Sequence, residues 1–344
     1  MSTKRLRILV LVHEDLVPPE SLEGLDTERR AEIRTEYDVC HGLRGLGHEL
    51  RVLGVQSDLS PLRKAIYEFK PDIAFNLLEE FHGVALYDQH VVSYLELMKT
   101  PYTGCNPRGL TLTHDKALCR KILGFHRVPG PRFAVFPMNR KIRRPARLGY
   151  PLFVKSAVED ASMGISQASV VHDDEKLEQR VRFIHERIGT DALVEEYVDG
   201  REIYVSVIGN DRLTAYPVLE MDFGKMSADQ YRIATAKVKW DEAYQERIDI
   251  TVRPAPDLDP AIERRISRLA RRVFRLLGLS GYARIDLRLD GDGQPHLIEV
   301  NANPDLASDD LFADTAALAG VSYPQVLERI LRLGLNYRAQ WRGE

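Results

Sequence analysis

Cysteine is scarce in this chain and poorly placed for either of its common structural uses. Cys40, Cys105 and Cys119 are the whole supply in 344 residues. They lie far apart, without the Cys-x-x-Cys spacing of a zinc or redox site, and their odd number gives no disulfide framework. Structural thiols in a reducing compartment are the reading that remains. Long apolar runs are missing too. The run that starts at Leu6 follows basic residues but stops within a few positions at His13-Glu14-Asp15, shorter than the core of a signal peptide and without a small-residue cleavage site. No segment approaches the roughly 20 apolar residues of a membrane span. The expected address is cytoplasmic, with no membrane partner. Excess positive charge is also absent. Lys and Arg total 48 against 51 Asp and Glu, a formal charge of −3, so nothing in the balance invites nucleic acid. The basic stretch Arg140-Lys-Ile-Arg-Arg-Pro-Ala-Arg147 has no interleaved aromatics and precedes a strand signal, and reads as a solvated connection. Finally, neither GxxxxGK[ST] nor a GxGxxG after the first strand occurs. Any nucleotide is held in some other way.

What is present is the mix of a soluble globular protein, 44% hydrophobic and 29% charged, with length for two or three packed lobes. The first third alternates signals: strands at 6–12, 49–54 and 72–76, helices at 27–46 and 61–69, with Gly47 and Pro71 as helix stops. That is the βαβα rhythm of a parallel sheet. A helix follows at 87–98, then Asn106-Pro107 as an N-cap with Pro at the first helical position. From about Pro129 short strands (132–136, 152–156, 167–171, 192–197, 202–208) surround a helix at 173–187, the pattern of a small α+β lobe. The last third has a strand meander at 213–220 and 233–240, an amphipathic helix at 259–277, two strands ending in carboxylates, and a closing helix at 323–333. We expect three lobes: residues 1–115, 116–210 and 211–344.

The chemistry concentrates in Ala283-Arg-Ile-Asp286 and Leu297-Ile-Glu-Val-Asn301, joined by the turn Asp290-Gly-Asp-Gly293. Arg284 and Asp286 are two apart, as are Glu299 and Asn301, so each pair projects from one face of its strand. Ile285, Leu287, Ile298 and Val300 are expected on the opposite, core face. Two carboxylates, an amide and a guanidinium then share one patch. Hard oxygen ligands of this kind suit Mg²⁺ completed by substrate phosphates; a surface hairpin with ordinary salt bridges is the competing reading. Upstream, Lys155 ends an apolar strand and precedes Ser156-Ala-Val-Glu-Asp-Ala-Ser-Met-Gly-Ile165, a small-residue turn whose N–H groups could close over phosphate oxygens, or an ordinary hairpin.

These residues reach a family. Leu95-Glu-Leu-Met-Lys-Thr-Pro-Tyr-Thr-Gly104, Asp115-Lys116, Phe153-Val-Lys155, Leu193-Val-Glu-Glu-Tyr-Val-Asp-Gly-Arg-Glu202, Ala236-Lys237, Gly281-Tyr-Ala-Arg-Ile-Asp286 and Leu297-Ile-Glu-Val-Asn-Ala-Asn-Pro304 together resemble the D-alanine–D-alanine ligase branch of the ATP-grasp superfamily, over roughly residues 72–334. The resemblance implies an α/β ATP-grasp fold with an N-terminal parallel lobe. It implies amide formation through an acyl phosphate, with ATP and Mg²⁺ (Mn²⁺ as a substitute), small-molecule carboxylate and amine substrates, and a homodimer. It makes Asp286, Glu299 and Asn301 metal ligands, Arg284 the oxyanion partner and Lys116 and Lys155 phosphate lysines. Glu195 and the Val198 backbone would meet adenine, Glu202 the ribose, and Lys237 the γ-phosphate. For the first substrate's amine it implies His82 and a glutamate, either Glu28 or Glu36.

The sequence also departs from that family. Its hairpin serine is Ala161, ahead of Ser162; the tyrosine after the Ala-Lys pair is Val238; the loop after the metal ligands reads Asn301-Ala-Asn-Pro-Asp-Leu-Ala307; and the serine that binds the second substrate's carboxylate falls on Asp310. An anion beside Asp305, Asp309 and Asp310 would be repelled, so an amine without a carboxylate, or with a second positive charge, is the expected acceptor. Alternatively, the aspartates cap a helix beginning near Asp309. A ligase modifying a peptide or protein terminus and a regulatory nucleotide binder without turnover are the other readings; the arginine beside the carboxylates argues against the last.

Overall fold

The computed structural model describes residues 5–159, 164–255 and 257–339. In chain order the elements are β1 (Arg7–His13), α1 (Thr27–Glu32), α2 (Arg34–Gly45), β2 (Glu49–Val55), α3 (Ser60–Phe69), β3 (Ile73–Asn76), α4 (Asp88–Leu97), α5 (Pro107–His114) and α6 (Lys116–Phe125). Then come β4 (Phe133–Phe136), β5 (Leu152–Ser156), β6 (Val170–Val171), α7 (Asp174–Phe183), β7 (Ala192–Glu196), β8 (Arg201–Ile208), β9 (Thr214–Ala215) and β10 (Leu219–Asp222). The chain closes with α8 (Ala236–Trp240), α9 (Glu242–Ile248), β11 (Thr251–Pro254), α10 (Pro260–Leu276), β12 (Tyr282–Leu289), β13 (Pro295–Ala302), α11 (Leu311–Leu318) and α12 (Tyr323–Asn336). No helix among the described residues is long and apolar enough to cross a membrane.

β1 is the middle strand of a parallel sheet ordered β2-β1-β3. Its side chains alternate between two cores, as the pleat requires. Leu9 and Leu11 pack with Leu62 and Val91, whereas Ile8, Val10 and Val12 pack with Val39 and Leu43 of α2 and Leu327 and Ile330 of α12. The second sheet is antiparallel, β4-β7-β5-β6, with Leu177 and Val181 of α7 in its core. The third runs β11-β10-β8-β12-β13, with β9 on β8. α10 supplies Ile266, Ala270 and Val273 to the core formed by Ile203, Val205, Ile285 and Leu287. On the opposite face Ile208 and Tyr282 join the core of the first sheet, and the polar side chains of Glu202, Arg284, Asp286 and Arg288 lie farther along β8 and β12.

Several expectations change. The expected helix at 27–46 is two helices that turn at Ile33 (φ −99°, ψ 10°), whose side chain is fully buried. The expected strand at 167–171 is a 3-10 turn at Gln167–Ser169 followed by the two-residue β6. Residues 233–240 do not form a strand; they lead into α8, capped by Thr235, whose side chain accepts from the Val238 amide. β8, inside the expected 116–210 lobe, pairs with β10 and β12 of the third sheet. The buried thiols agree with their structural reading.

Candidate active site

β12 and β13 bring the chemistry together by register. Arg284 stands opposite Asn301 and Asp286 opposite Glu299. The register then shifts between Asp286 and Leu287, a bulge that re-aims the residue it inserts. Ile298 is therefore not on the core face; it lines a cleft beside Glu299, while Leu297 is fully buried.

Each carboxylate is already matched to a cation. Arg284 holds Asp286 with two bonds, Nε to Oδ1 at 2.8 Å and Nη2 to Oδ2 at 3.0 Å. Glu299 lies 3.0 Å from the Nζ of Lys116, which the N-terminus of α6 carries into the interior. The Asn301 amide donates to Asp286 Oδ2 at 3.0 Å; turning it about its last torsion presents the oxygen instead. Burial works to lower the Arg284 pKa, but the Asp286 carboxylate outweighs it and holds the guanidinium above its usual value. Hard oxygens from two carboxylates and an amide, in register on one face, fit a Mg²⁺-type ion that takes its remaining ligands from phosphates and water.

The cleft lies between the second and third sheets. Lys116, Lys155, Val198, Glu202, Asp286 and Glu299 line it. Lys155 and Glu195 form a buried pair at 3.1 Å, with Arg120 at 3.4 Å from the same carboxylate. Glu202 meets Arg288 at 3.1 Å. Arg288 continues the Arg284/Asp286 alternation on β12, and that period of two was the signal by which it could have been found. A second cavity, of about 540 Å³, adjoins the first. Lys239 and Glu299 line both.

Two expected residues do not reach these spaces. Lys237 is exposed, its Nζ 4.6 Å from the centre of the Tyr244 ring. In the expected strand Lys237 and Lys239 would share a face; in the helix α8 they are about 200° apart, and Lys239 is the one turned inward. His82 is exposed on a turn at φ 59°, and the histidine lining the second cavity is His114, 3.0 Å from Asp88. No periodic pattern marked that pair, since they come from the ends of different helices. Of the two glutamates, Glu28 is exposed on α1 and Glu36 is buried on α2. Val238 is buried and lines the second cavity, where it offers only a hydrocarbon surface. Ala161 and Ser162 lie outside the described residues.

Acidic side chains set the character of the second cavity, with Glu79, Asp88, Asp305 and Asp310 on its walls. Asp310 occupies the N-cap position of α11, yet its side chain makes no capping hydrogen bond. Burial, reinforced by Asp305 and opposed by Arg284, pushes its carboxyl up to about 6. The loop that carries these residues is pinned by Asn303, whose Oδ1 accepts from the Cys105 amide at 2.7 Å. Gly104 (φ 91°) permits that approach; a Cβ there would stand 2.5 Å from Asn303 Oδ1.

Comparisons with known proteins agree with this architecture. The family described as "D-ala D-ala ligase C-terminus" matches residues 131–332. The "D-alanine--D-alanine ligase" of Desulforudis audaxviator is 30% identical over 313 residues, 90% of this chain and 95% of its own. An "Uncharacterized protein y4sG" of Sinorhizobium fredii is 34% identical over 263 residues, 75% of this chain and 73% of its own. The structure of the Bacillus anthracis D-alanine–D-alanine ligase complexed with ATP is similar in fold, with a TM-score of 0.74 at 22% identity over 96% of this chain and 97% of that one. The chain belongs to the D-alanine–D-alanine ligase family and is an ADP-forming ATP-grasp ligase.

Proposed function

We propose that this ligase joins a small carboxylic acid to an amine other than D-alanine. The observation that carries the reading is Asp310, half-buried, uncapped and set against Arg284 on the wall of the second cavity. A carboxylate arriving there would meet repulsion where its binding needs a donor, and a site that leaves a ligand group unpaired discriminates by orders of magnitude. Val238 supports the same direction, because it presents no hydroxyl to a first substrate.

The reaction proceeds in two steps. A donor carboxylate oxygen takes the γ-phosphoryl group of ATP, the bond to ADP breaks, and the poor leaving group becomes phosphate. The neutral acceptor amine then attacks the acyl carbon; the C–N bond forms, the C–O bond to phosphate breaks, and the departing phosphate takes up the proton that the nitrogen loses. Lys116 and Lys155 would hold phosphate oxygens, and Lys239, lying where the two cavities meet, would follow the transferring group. Arg284 would stabilise the tetrahedral oxyanion. Asp286, Glu299 and Asn301 would hold Mg²⁺, which screens phosphate charge when bound. The Val198 backbone and Glu202 would receive adenine and ribose at the far end of the cleft, with Glu195 acting through its ion pair with Lys155. The homodimer belongs to the same proposal, and sedimentation equilibrium tests it.

Phosphate release with D-alanine alone, then with D-alanine plus carboxylate-free amines, tests the acceptor. Turnover is expected to rise with the amines. Robust turnover with D-alanine as both substrates would refute it.

A further inference from the structure

The second cavity has more negative charge than a ligase acceptor needs. The attacking nitrogen must be neutral when it reacts, and one base suffices to take its proton, so further carboxylates around it add nothing to the chemical step. Yet Glu79, Asp88, Asp305 and Asp310 all line the space. Its cations are largely committed elsewhere: Arg284 grips Asp286 with two hydrogen bonds, and Lys239 also faces the neighbouring cleft.

The acids are held in place. α2 clasps the loop after β13, with Thr35 Oγ1 donating to Asp305 Oδ1 at 2.6 Å and Asp38 accepting from the Ser308 amide at 2.9 Å. Glu36, next along α2, is 5% exposed, and its Oε2 has no hydrogen-bond partner. Burial raises that carboxyl to about 7, with the charges of Glu79 and Asp305 adding to the effect. Asp88, 3% exposed on the cavity wall, likewise has an Oδ1 without a partner. Buried polar atoms are ordinarily satisfied, and exceptions ask for a ligand. Among the described residues no group of three or more such side chains is gathered closely enough to hold a metal ion. The charge is spread, which suits an organic cation.

We propose that the acceptor is a diamine, whose nucleophilic nitrogen reaches the donor beside Arg284 while a second, protonated nitrogen is held by Asp305 and Asp310 with Glu36 behind them. This rests on the ligase reading and deepens it. The second ammonium adds charge-assisted hydrogen bonds, the stronger kind, to carboxylates whose present donors, such as Thr35 Oγ1 and the Ala307 amide on Asp305, are neutral. A monoamine of equal length fills the same space without them.

Calorimetry on the full chain, saturated with Mg²⁺ and a non-hydrolysable ATP analogue, tests this with 1,4-diaminobutane, n-butylamine and D-alanine at constant ionic strength. The diamine is expected to bind at least about tenfold more tightly than butylamine. That gap closes in Asp310→Asn and in Asp305→Asn, each with its affinity for the ATP analogue intact. Equal binding of the two amines, tighter binding of D-alanine, or a gap that survives both substitutions overturns the proposal. Failure of the native chain to bind the ATP analogue would strike the ligase reading itself, and this inference with it.

Discussion

Asp286 and Glu299 face each other across β12 and β13, each held by its own cation, Asp286 by Arg284 and Glu299 by Lys116. The pair is thus held in place by two residues that the proposed reaction also uses. Glu299→Gln keeps the shape and removes the charge. Metal-dependent turnover should fall by more than the roughly 10–100-fold typical of an outer-shell change, with the far-ultraviolet circular dichroism unchanged. Full activity in that variant would end the metal assignment.

In the proposed role Arg284 acts on an oxyanion rather than on either ground state, so its loss should appear in kcat. Arg284→Gln should cost about 3–4 kcal/mol of transition-state stabilisation, in the range of oxyanion-donor deletions. Steady-state kinetics decide it; a change confined to KM contradicts the role.

The lysines separate by position. Lys239→Ala should reduce phosphoryl transfer far more than Lys237→Ala, because, of these two lysines, Lys239 alone lines the cavities; single-turnover ADP formation with the reverse ranking would contradict α8. Lys155→Ala should weaken nucleotide binding and also destabilise the fold. It strands Glu195, 2% exposed, with Arg120 as its remaining cation. Breaking a buried pair costs about 3–5 kcal/mol, and the residual arginine puts the expectation near the lower end. Urea denaturation measures it.

Glu36 makes stability fall with pH. Its folded value stands at about 7 against an ordinary 4.5, so between those values the native state binds more protons than the unfolded one. Stability is then lost as pH rises through that window. At about 1.4 kcal/mol per unit, the effect is on the order of 3 kcal/mol. Glu36→Gln should raise Tm at pH 8 and leave it nearly unchanged at pH 4.5. Equal shifts at both would remove Glu36 as the cause.

The polar face of β12 and β13 was legible because alternation is a strong signal: Arg284, Asp286, Glu299 and Asn301 meet on one face as their spacing requires. Ile298 was misplaced because a bulge adds a residue without leaving any compositional mark. α8 was read as a strand although Thr235 stands at the N-cap, three residues before the amide it accepts from. That reading cost the distinction between Lys237 and Lys239. The match of β8 to the third sheet, and the meeting of Asp88 with His114, come from distant segments, and local pattern carries no information about such encounters. The acidic loop was seen in outline, but whether its aspartates cap a helix or line a space depended on side-chain direction.

α12 has a consequence for how the polypeptide is assembled during synthesis. Val326, Leu327, Ile330 and Leu331 cover Ile8, Val10 and Val12 at the opposite end of the chain. Until Tyr323–Asn336 has emerged from the ribosome, that side of the first sheet is covered by α2 without its second helix. A segment made early is therefore completed only when α12 follows, and ribosome-bound intermediates should expose part of that sheet to chaperones until then.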